Sequence, residues 1–482
     1  MISFIPRVFG AMLIGAALFP FTAIADRPNV IVIMADDIGW ECFSCYGGEN
    51  NKTPHVDALA ASGIRFENAH SQPICTPSRV QIMTGIYNNR NYVKFGFLDP
   101  EATTFGHLMK DAGYRTLVAG KWQLEGGFEG PTKFGFDEYC LWQLTRRPSR
   151  YPNPGLEING EEKDFKNGEF GPDLVSDYIC DFIEKNKEEP FFVYYPMIAP
   201  HWPFLPTPDS DDWDPTMWKD AKGEPGGFKG PEYWDDMVLY TDKMVGKVVA
   251  KLEETGLREN TLVIFTGDNG TYESVTSDFR GKKYVGGKGK TKDNGTHVPF
   301  VVSWPAVIEP NQVRKELVDF SDVLPTIVEA GGGTVPSELN VDGKSHVPLF
   351  RGDESYVPRD YIYCWYERTG IREKASEYVR NEKFKLYGGG RFYNVKKDME
   401  EKKDLRANGA YGGWEKTYKM LDAALRKHML VTDEFDPLLN EKRAPYLKKE
   451  AEKKAAAAKA KEEKAKAKQE KAEKNKQKAA KT

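Results

Sequence analysis

Two acidic segments stand directly after apolar runs. Asp36-Asp37-Ile38-Gly39 follows the run 29–35, and Gly267-Asp268-Asn269-Gly270 follows the run 262–266. Three carboxylates and a carboxamide at two strand ends form an all-oxygen donor set, which suits a hard divalent cation. One calcium ion is expected rather than magnesium, because calcium tolerates irregular ligation and magnesium demands octahedral order. Taken singly, each segment also reads as a helix N-cap or a turn former, since Asp and Asn favour both. A third segment, Cys75-Thr76-Pro77-Ser78-Arg79, sets a thiol just ahead of a helix start at Pro77. For a lone cysteine the ordinary reading is a buried structural thiol. Cys42-x-x-Cys45 has the spacing of a redox or zinc motif, but no second Cys pair or His pair lies at zinc spacing. A zinc site is therefore rejected; packed thiols at 42 and 45 are expected, with a Cys42–Cys45 disulfide as the alternative.

The elements that must position these groups alternate along the chain. The runs 29–35 (NVIVIMA), 190–195, 262–266 and 299–304 are continuous and apolar, the pattern of strands buried on both faces. Between them, 103–112 leads to Gly113 and 233–255 to Gly256 with helical spacing and a glycine stop. Buried strands alternating with helices predict a mainly parallel sheet covered on both faces. In such sheets ligands bind outside the carboxyl ends of the strands, where both acidic segments fall. Farther on, short runs at 383–387 and 391–395 flank Gly388-Gly389-Gly390, which predicts a hairpin, and a helix is expected over 414–429. The expected fold class is α/β: a large mixed, mainly parallel β-sheet sandwiched by helices, with a smaller C-terminal antiparallel-sheet subdomain. The expected division is 26–345 for the α/β domain and 346–446 for the smaller α+β part.

Both ends are expected to lie outside that fold. Residues 1–25 read as a signal peptide, with Arg7 as the positive n-region, 11–19 (AMLIGAALF) as the apolar run and Ala23-Ile24-Ala25 as the cleavage site. The apolar run is too short to span a bilayer. An exported chain, periplasmic or secreted and without membrane insertion, is expected. The stretch 447–482 is nearly all Lys, Ala, Glu, Gln and Asn, which favours a solvated, partly helical tail, or a tether to a polyanion. That tail holds 14 Lys against 6 Glu, so with Arg7 also set aside the stretch 26–446 carries −13 of a whole-chain charge of −4. An acidic body excludes a nucleic-acid-binding domain. With 40% apolar residues and 6 Cys in 482, disordered, collagen-like and disulfide-scaffold classes are excluded as well.

Cys75, with Pro two places on, Arg four places on and Thr84-Gly85 trailing in register, resembles the signature of the type I sulfatases of the alkaline-phosphatase superfamily. The resemblance covers roughly 27–430 in the family's order. Asp36-Asp37 and Asp268-Asn269 match the metal pairs, Gly120-Lys121-Trp122 and Gly287-Lys288-Gly289 the lysine motifs, and Pro200-His201-Trp202-Pro203 the Pro-His segment; 320–326 and 392–395 resemble framework segments. It implies an alkaline-phosphatase-like fold and a sulfuric ester hydrolase of arylsulfatase type. It also implies that a formylglycine-generating enzyme converts Cys75 to formylglycine before folding. One hydroxyl of the hydrated aldehyde, bound to the metal, then attacks the sulfur of a sulfate ester, and the second loses its proton to expel sulfate. Lys121 and Lys288 are implied to hold the sulfate, Arg79 to orient the nucleophile and His201 to serve the departing alcohol. Each also has a plainer reading: the lysines as solvated loop residues, Arg79 as a helix-surface residue, His201 as a turn brace.

The chain departs from the family pattern in two motifs. Where the family has Trp-His-Leu-Gly, this chain has Trp122-Gln123-Leu124-Glu125, and Gln123 can donate a hydrogen bond but carry no proton at neutral pH. His201 is then left alone in the leaving-group role. His297 stands where the family's Glu-Gly-Gly-x-Arg-Val-Pro has Arg, and His70 lies five residues before Cys75. Gln123, His297 and His70 are expected on the substrate side, with a framework role as the alternative for the two histidines. Trp202, Trp213, Trp218 and Trp234 suit stacking on sugar rings, and equally a self-packed loop. A sulfated carbohydrate is the expected substrate. The rival readings keep the scaffold for phosphodiesters or phosphonates, or make the chain a non-catalytic sulfoglycan-binding protein with a plain thiol at 75.

Overall fold

The computed structural model describes residues 27–218, 231–406 and 411–479; the signal peptide expected over 1–25 lies outside them. The run NVIVIMA forms strand β1 (Asn29–Ala35), buried at every residue. Alternate side chains feed opposite faces: Val30, Val32 and Met34 join one core, Ile31, Ile33 and Ala35 the other. Helices Cys75–Thr84, Phe105–Asp111 and Val323–Ala330 contribute to the first core, and Pro54–Ala61, Gly171–Lys185 and Trp234–Glu254 to the second. A strand with a core on each side has no solvated face, which is why its sequence lacks polar alternation.

The strands that follow are β2 (Ile64–His70), β3 (Arg115–Lys121), β4 (Glu138–Trp142), β5 (Gly155–Ile158), β6 (Glu161–Asp164), β7 (Phe191–Pro196), β8 (Thr261–Gly267), β9 (Thr276–Phe279), β10 (Lys282–Val285), β11 (Phe300–Ser303) and β12 (Gln312–Asp319). Nine of these join β1 in one ten-stranded sheet in the order β12-β2-β11-β8-β1-β7-β3-β4-β5-β6, while β9 and β10 pair as a separate hairpin. The central strands β8, β1, β7, β3 and β4 are mutually parallel; β11, β5 and β6 run antiparallel to their neighbours. A second, antiparallel sheet holds β13 (Ile362–Tyr366), β14 (Ser376–Arg380), β15 (Phe384–Tyr387) and β16 (Phe392–Asn394). The expected fold class is the observed one.

Two expectations change in detail. The helix expected over 414–429 runs from Glu415 to Ala479 as one element, through Pro437 and Pro445 and through the expected tail boundary. Its early part packs Leu421 and Leu425 into the main core, and Arg443 donates to the Val93 carbonyl at 2.8 Å, so packing extends well past 429. Beyond that, Ala, Lys, Glu and Gln favour helix by propensity. Two tryptophans of the 201–234 segment turn inward: Trp234 packs edge-on to Phe204 at 5.1 Å, and Trp213 to Phe170 at 5.4 Å. All six cysteines are free thiols, those at 42 and 45 included. Among the described residues, no helix is long and apolar enough to cross a membrane.

Candidate active site

β1 and β8 pair in register from Asn29–Thr261 to Ala35–Gly267. The residues just beyond, Asp36-Asp37 and Asp268-Asn269, therefore come side by side. Asp37 turns the chain with φ at 67°, a left-handed conformation that Asp tolerates better than most side chains. Its N–H donates to Asp268 Oδ1 at 2.9 Å, and Asn269 Nδ2 donates to Asp37 Oδ1 at 3.0 Å. All four residues are fully buried.

Lys121 ends β3, two strands away, and its Nζ donates to both oxygens of Asp36 at 2.8 Å. Gly120 makes the approach possible: with φ at 128°, a β-carbon there would lie 2.0 Å from the Pro196 carbonyl oxygen. Cys75 opens the helix Cys75–Thr84 after the extended Ile74, so it sits where backbone N–H groups lack helical partners and an anion is favoured. Pro77 is harmless in that first turn for the same reason. Arg79 follows one turn later on the same face. Its Nη1 donates to the Lys121 carbonyl at 2.8 Å, and its Nη2 lies 3.6 Å from Asp268 Oδ2. The Cys75 thiol donates to Gln123 Oε1 at 3.0 Å.

The mouth of the cluster is formed by its partly exposed members, Gln123, His201 and Lys288. Lys288 is fixed through its N–H to the Thr271 carbonyl (3.0 Å) and that of Gly289 to the Pro73 carbonyl (2.7 Å). Its Nζ pairs with Asp37 Oδ2 and lies 3.2 Å from His201 Nε2. His201 donates from Nδ1 to the Trp202 carbonyl at 2.5 Å, because a carbonyl can only accept; Nε2 therefore faces Lys288 without a proton.

Charge explains how the cluster stays together. Burial alone would raise the Asp36 carboxyl, but Lys121, with Arg79 and Arg150, holds it well below the usual carboxylate range. Asp268 is pushed the other way, by burial and by the charges of Asp36 and Asp37. Burial, aided by Arg150 and Lys288, keeps His201 neutral. Lys288 resists its own burial because Asp37 and its neighbours raise it. Burial also raises the Cys75 thiol in spite of Lys121 and Lys288, so a plain thiol at 75 stays protonated at neutral pH and is a poor nucleophile. Three carboxylates (Asp36, Asp37, Asp268) meet four permanent cations (Arg79, Lys121, Arg150, Lys288), and any divalent ion adds to that positive excess. The site therefore selects an anion.

The structure brings together Asp36, Asp37, Cys75, Arg79, Lys121, Gln123, His201, Asp268, Asn269 and Lys288. It does not bring His70 and His297 to them. Those rings lie 4.6 Å apart, His297 stacks on Trp40 at 3.7 Å and contacts the Glu67 carbonyl at 2.9 Å, and His70 lies 3.4 Å from Thr296 Oγ1. Neither shares a described hydrogen bond or ion pair with the carboxylate cluster; the bridge between His70 and His297 holds them in the sheet framework instead. Arg150 is the residue that sequence reasoning missed. Its Nη1 lies 3.4 Å from Asp36 Oδ2 and its guanidinium 4.0 Å over the Trp142 ring. It sits in an irregular loop after β4, beside Arg146 and Arg147, with nothing in its spacing to set it apart.

Asp268 Oδ2 and Asn269 Oδ1 are buried and have no hydrogen-bond partner among the described residues. Leaving such acceptors unmet is costly, so an oxygen set with two open acceptors fits a hard cation. Asp36, Asp37 and His201, and likewise Asp36, Cys75 and Asp268, place ligand atoms within 4.8 Å of one another.

Comparison with known proteins agrees with this geometry. The sulfatase family model matches residues 28–333, and the model for the C-terminal part of N-sulphoglucosamine sulphohydrolase matches 288–430. The chain is 30% identical to arylsulfatase A of Homo sapiens, over 77% of this chain and 76% of that protein. It is 29% identical to the N-acetylgalactosamine-6-O-sulfatase of Bacteroides thetaiotaomicron, over 70% and 79% respectively. The solved structure of Ps i-CgsB in complex with k-i-k-neocarrahexaose superposes with a TM-score of 0.69 at 26% identity, covering 84% of this chain and 93% of that one. The chain belongs to the type I sulfatase family and is a sulfuric ester hydrolase. Members of that family use a formylglycine and a divalent metal.

Proposed function

We propose that the chain is an exported sulfatase that cleaves sulfate monoesters on carbohydrates, with position 75 acting as formylglycine and one calcium ion held by Asp36, Asp37, Asp268 and Asn269. The observation that carries this reading is the convergence of three buried carboxylates and four permanent cations on Cys75 at the carboxyl edge of the sheet. When present, the aldehyde hydrate and the cation supply an acidified oxygen nucleophile, which a buried, protonated thiol is not. Cys75 is 2% exposed, which supports conversion by a maturation enzyme before the chain folds around it.

The chain's own residues have distinct tasks. Lys121 and Lys288 neutralise two of the sulfate oxygens, and Arg79, tied to the Lys121 carbonyl and Asp268, fixes the helix start that carries position 75. Arg150 holds Asp36 from the far side. At the mouth, Lys288 holds the proton and His201 Nε2 accepts, so this pair can hand a proton to the leaving oxygen as it develops charge. Gln123 adds a neutral hydrogen bond beside position 75 and no proton. Carbohydrate as substrate is supported by the relatives above, one named for a sugar sulfate and one bound to an oligosaccharide. Export is supported by the sequence of 1–25.

The test is mass spectrometry of the tryptic peptide 66–79 from protein made in its own host, followed by sulfate release from sulfated glycans. A peptide lightened by exchange of thiol for aldehyde, with release abolished in Lys288→Ala and His201→Ala, is the expected result. An alkylatable thiol at 75 in folded protein that still releases sulfate would remove the covalent mechanism. Faster turnover of an aryl phosphate diester than of the aryl sulfate would move the assignment to the phosphodiester reading.

A further inference from the structure

Next to the mouth lies a second cavity, of about 460 Å³, between the loop that carries Lys288 and the small sheet. The same loop supplies both: Lys288 enters the cluster, while Gly289, Lys290 and Lys292 line the neighbouring space. The Gly289 N–H bond to the Pro73 carbonyl ties that wall to the backbone two residues before Cys75. Tyr366, at the end of β13, lines this cavity too. Burial pushes its phenol up to about 12, and Cys75 is near enough to add to that shift.

The wall is strongly positive. Lys290, Lys292, Arg368, Lys374 and Arg391 face only two carboxylates, Glu367 and Glu401. Both carboxylates are already engaged. Glu367 Oε2 accepts from Thr369 N, Thr369 Oγ1 and Ile371 N, and Glu401 takes Lys385 (2.9 Å) and the Tyr387 hydroxyl (2.7 Å). Lys290, Arg368, Lys374 and Arg391 have no carboxylate partner among the described residues. Arg368 and Arg391 are instead held over the rings of Phe95 (4.8 Å) and Tyr387 (4.6 Å), which fixes their guanidinium groups. Four unpaired cations around one concavity repel each other, and an anion placed there relieves that repulsion.

We propose that this cavity is a second anion subsite, which holds a sulfate or carboxylate on the sugar next to the one being desulfated, so that the substrate is a multiply anionic saccharide. The inference deepens the proposed function and rests on it. Three disaccharides of one skeleton test it: monosulfated and otherwise neutral, disulfated, and monosulfated with a uronic carboxylate. In the matured enzyme, Lys374→Ala/Arg391→Ala is expected to raise KM about tenfold for one or both dianionic substrates, since a charge-assisted contact is worth about that factor. The kcat values and the KM for the neutral monosulfated sugar stay within about twofold. The substrate that responds tells sulfate from carboxylate. Raising the salt concentration narrows the gap between wild type and variant. An equal change of KM on all three substrates, or none, overturns the subsite. If the matured wild type cleaves none of them, the carbohydrate-substrate reading fails for this skeleton, and calorimetry of the disulfated and monosulfated disaccharides on the same two proteins then decides. Equal affinities of wild type for both sugars would overturn the subsite on its own, and tighter binding of the disulfated sugar that is lost in the variant would uphold it.

Discussion

Two buried acidic groups sit at strand ends in this protein: Asp36, Asp37 and Asp268 beyond β1 and β8, and Asp319 and Asp322 at and just after the end of β12. In the second group both oxygens of Asp322 are taken. Arg359 binds them as a fork, with Nε at 3.1 Å, and the backbone N–H groups of Lys344 (2.7 Å) and Asp319 (2.9 Å) complete the set. Asp319 Oδ1 accepts from Ser321 N, Ser321 Oγ and Gln81. In the first group Asp268 Oδ2 and Asn269 Oδ1 accept no hydrogen bond among the described residues, Arg79 standing 3.6 Å from the former, and Asp268 is pushed up by burial and by its fellow carboxylates. The closed group is a folding device: it caps the turn into helix Val323–Ala330 and pins the segment around 344–359. The open group is strained by like charge and spends stability on a site that wants a cation and an anion.

That difference can be broken from either side. Asp268→Asn should cut sulfate release about 10³-fold, or about 4 kcal/mol of activation free energy, while the metal-free protein melts at the same temperature or higher because a like charge is gone. A large loss of stability would mean that the first group is structural too. Arg359→Ala should do the reverse, costing about 3–5 kcal/mol of stability by stranding a buried carboxylate, with sulfate release per folded molecule kept. Calorimetric melting and a sulfate assay on both variants read the contrast directly.

Smaller effects sharpen it. Adding calcium to chelated wild type should raise stability by about 2.7 kcal/mol at a hundredfold excess over Kd, and should do so far less in Asp268→Asn. The Asp322 carboxyl lies at about 2: burial alone would raise it from the ordinary 3.8, but Arg359 and His346 outweigh that. A depressed carboxylate stabilises above its unfolded value and loses that contribution as pH falls through the folded one. Asp322 therefore contributes on the order of 2 kcal/mol at neutral pH, lost between about pH 5 and pH 2. Over that window the stability gap between wild type and Arg359→Ala should narrow; a constant gap in acid unfolding would count against it. The smallest effect is expected at the mouth. Gln123→His should change kcat/KM by less than about tenfold and add a dependence near pH 6–7 that the wild type lacks.

Much of this was legible in the chain itself. The apolar runs announced the central strands because a sheet with a core on each face admits no polar alternation, and the acidic pairs announced the site because ligand groups of a parallel sheet fall at its carboxyl edge. Cys75, Lys121 and Lys288 were legible through the resemblance to the family's motifs; taken alone they read as a packed thiol and solvated lysines. His70 and His297 were not, since a histidine near a motif in sequence is not placed by it: one ring packs against the other, and Trp40 takes a face of His297. The tryptophans of 201–234 were ambiguous for the same reason, and packing turned Trp213 and Trp234 inward.

Residue types, their order and their strand-end positions were thus determined by the sequence, because periodicity and turn chemistry are local. Which charges meet was decided only by the tertiary structure. Lys121 reaches Asp36 from two strands away, and Arg150 arrives from a loop with no motif. Lys290, Arg368, Lys374 and Arg391 come from segments up to about a hundred residues apart to line one cavity. Coulomb interactions depend on distance through space and on burial, and neither is written in the spacing along the chain.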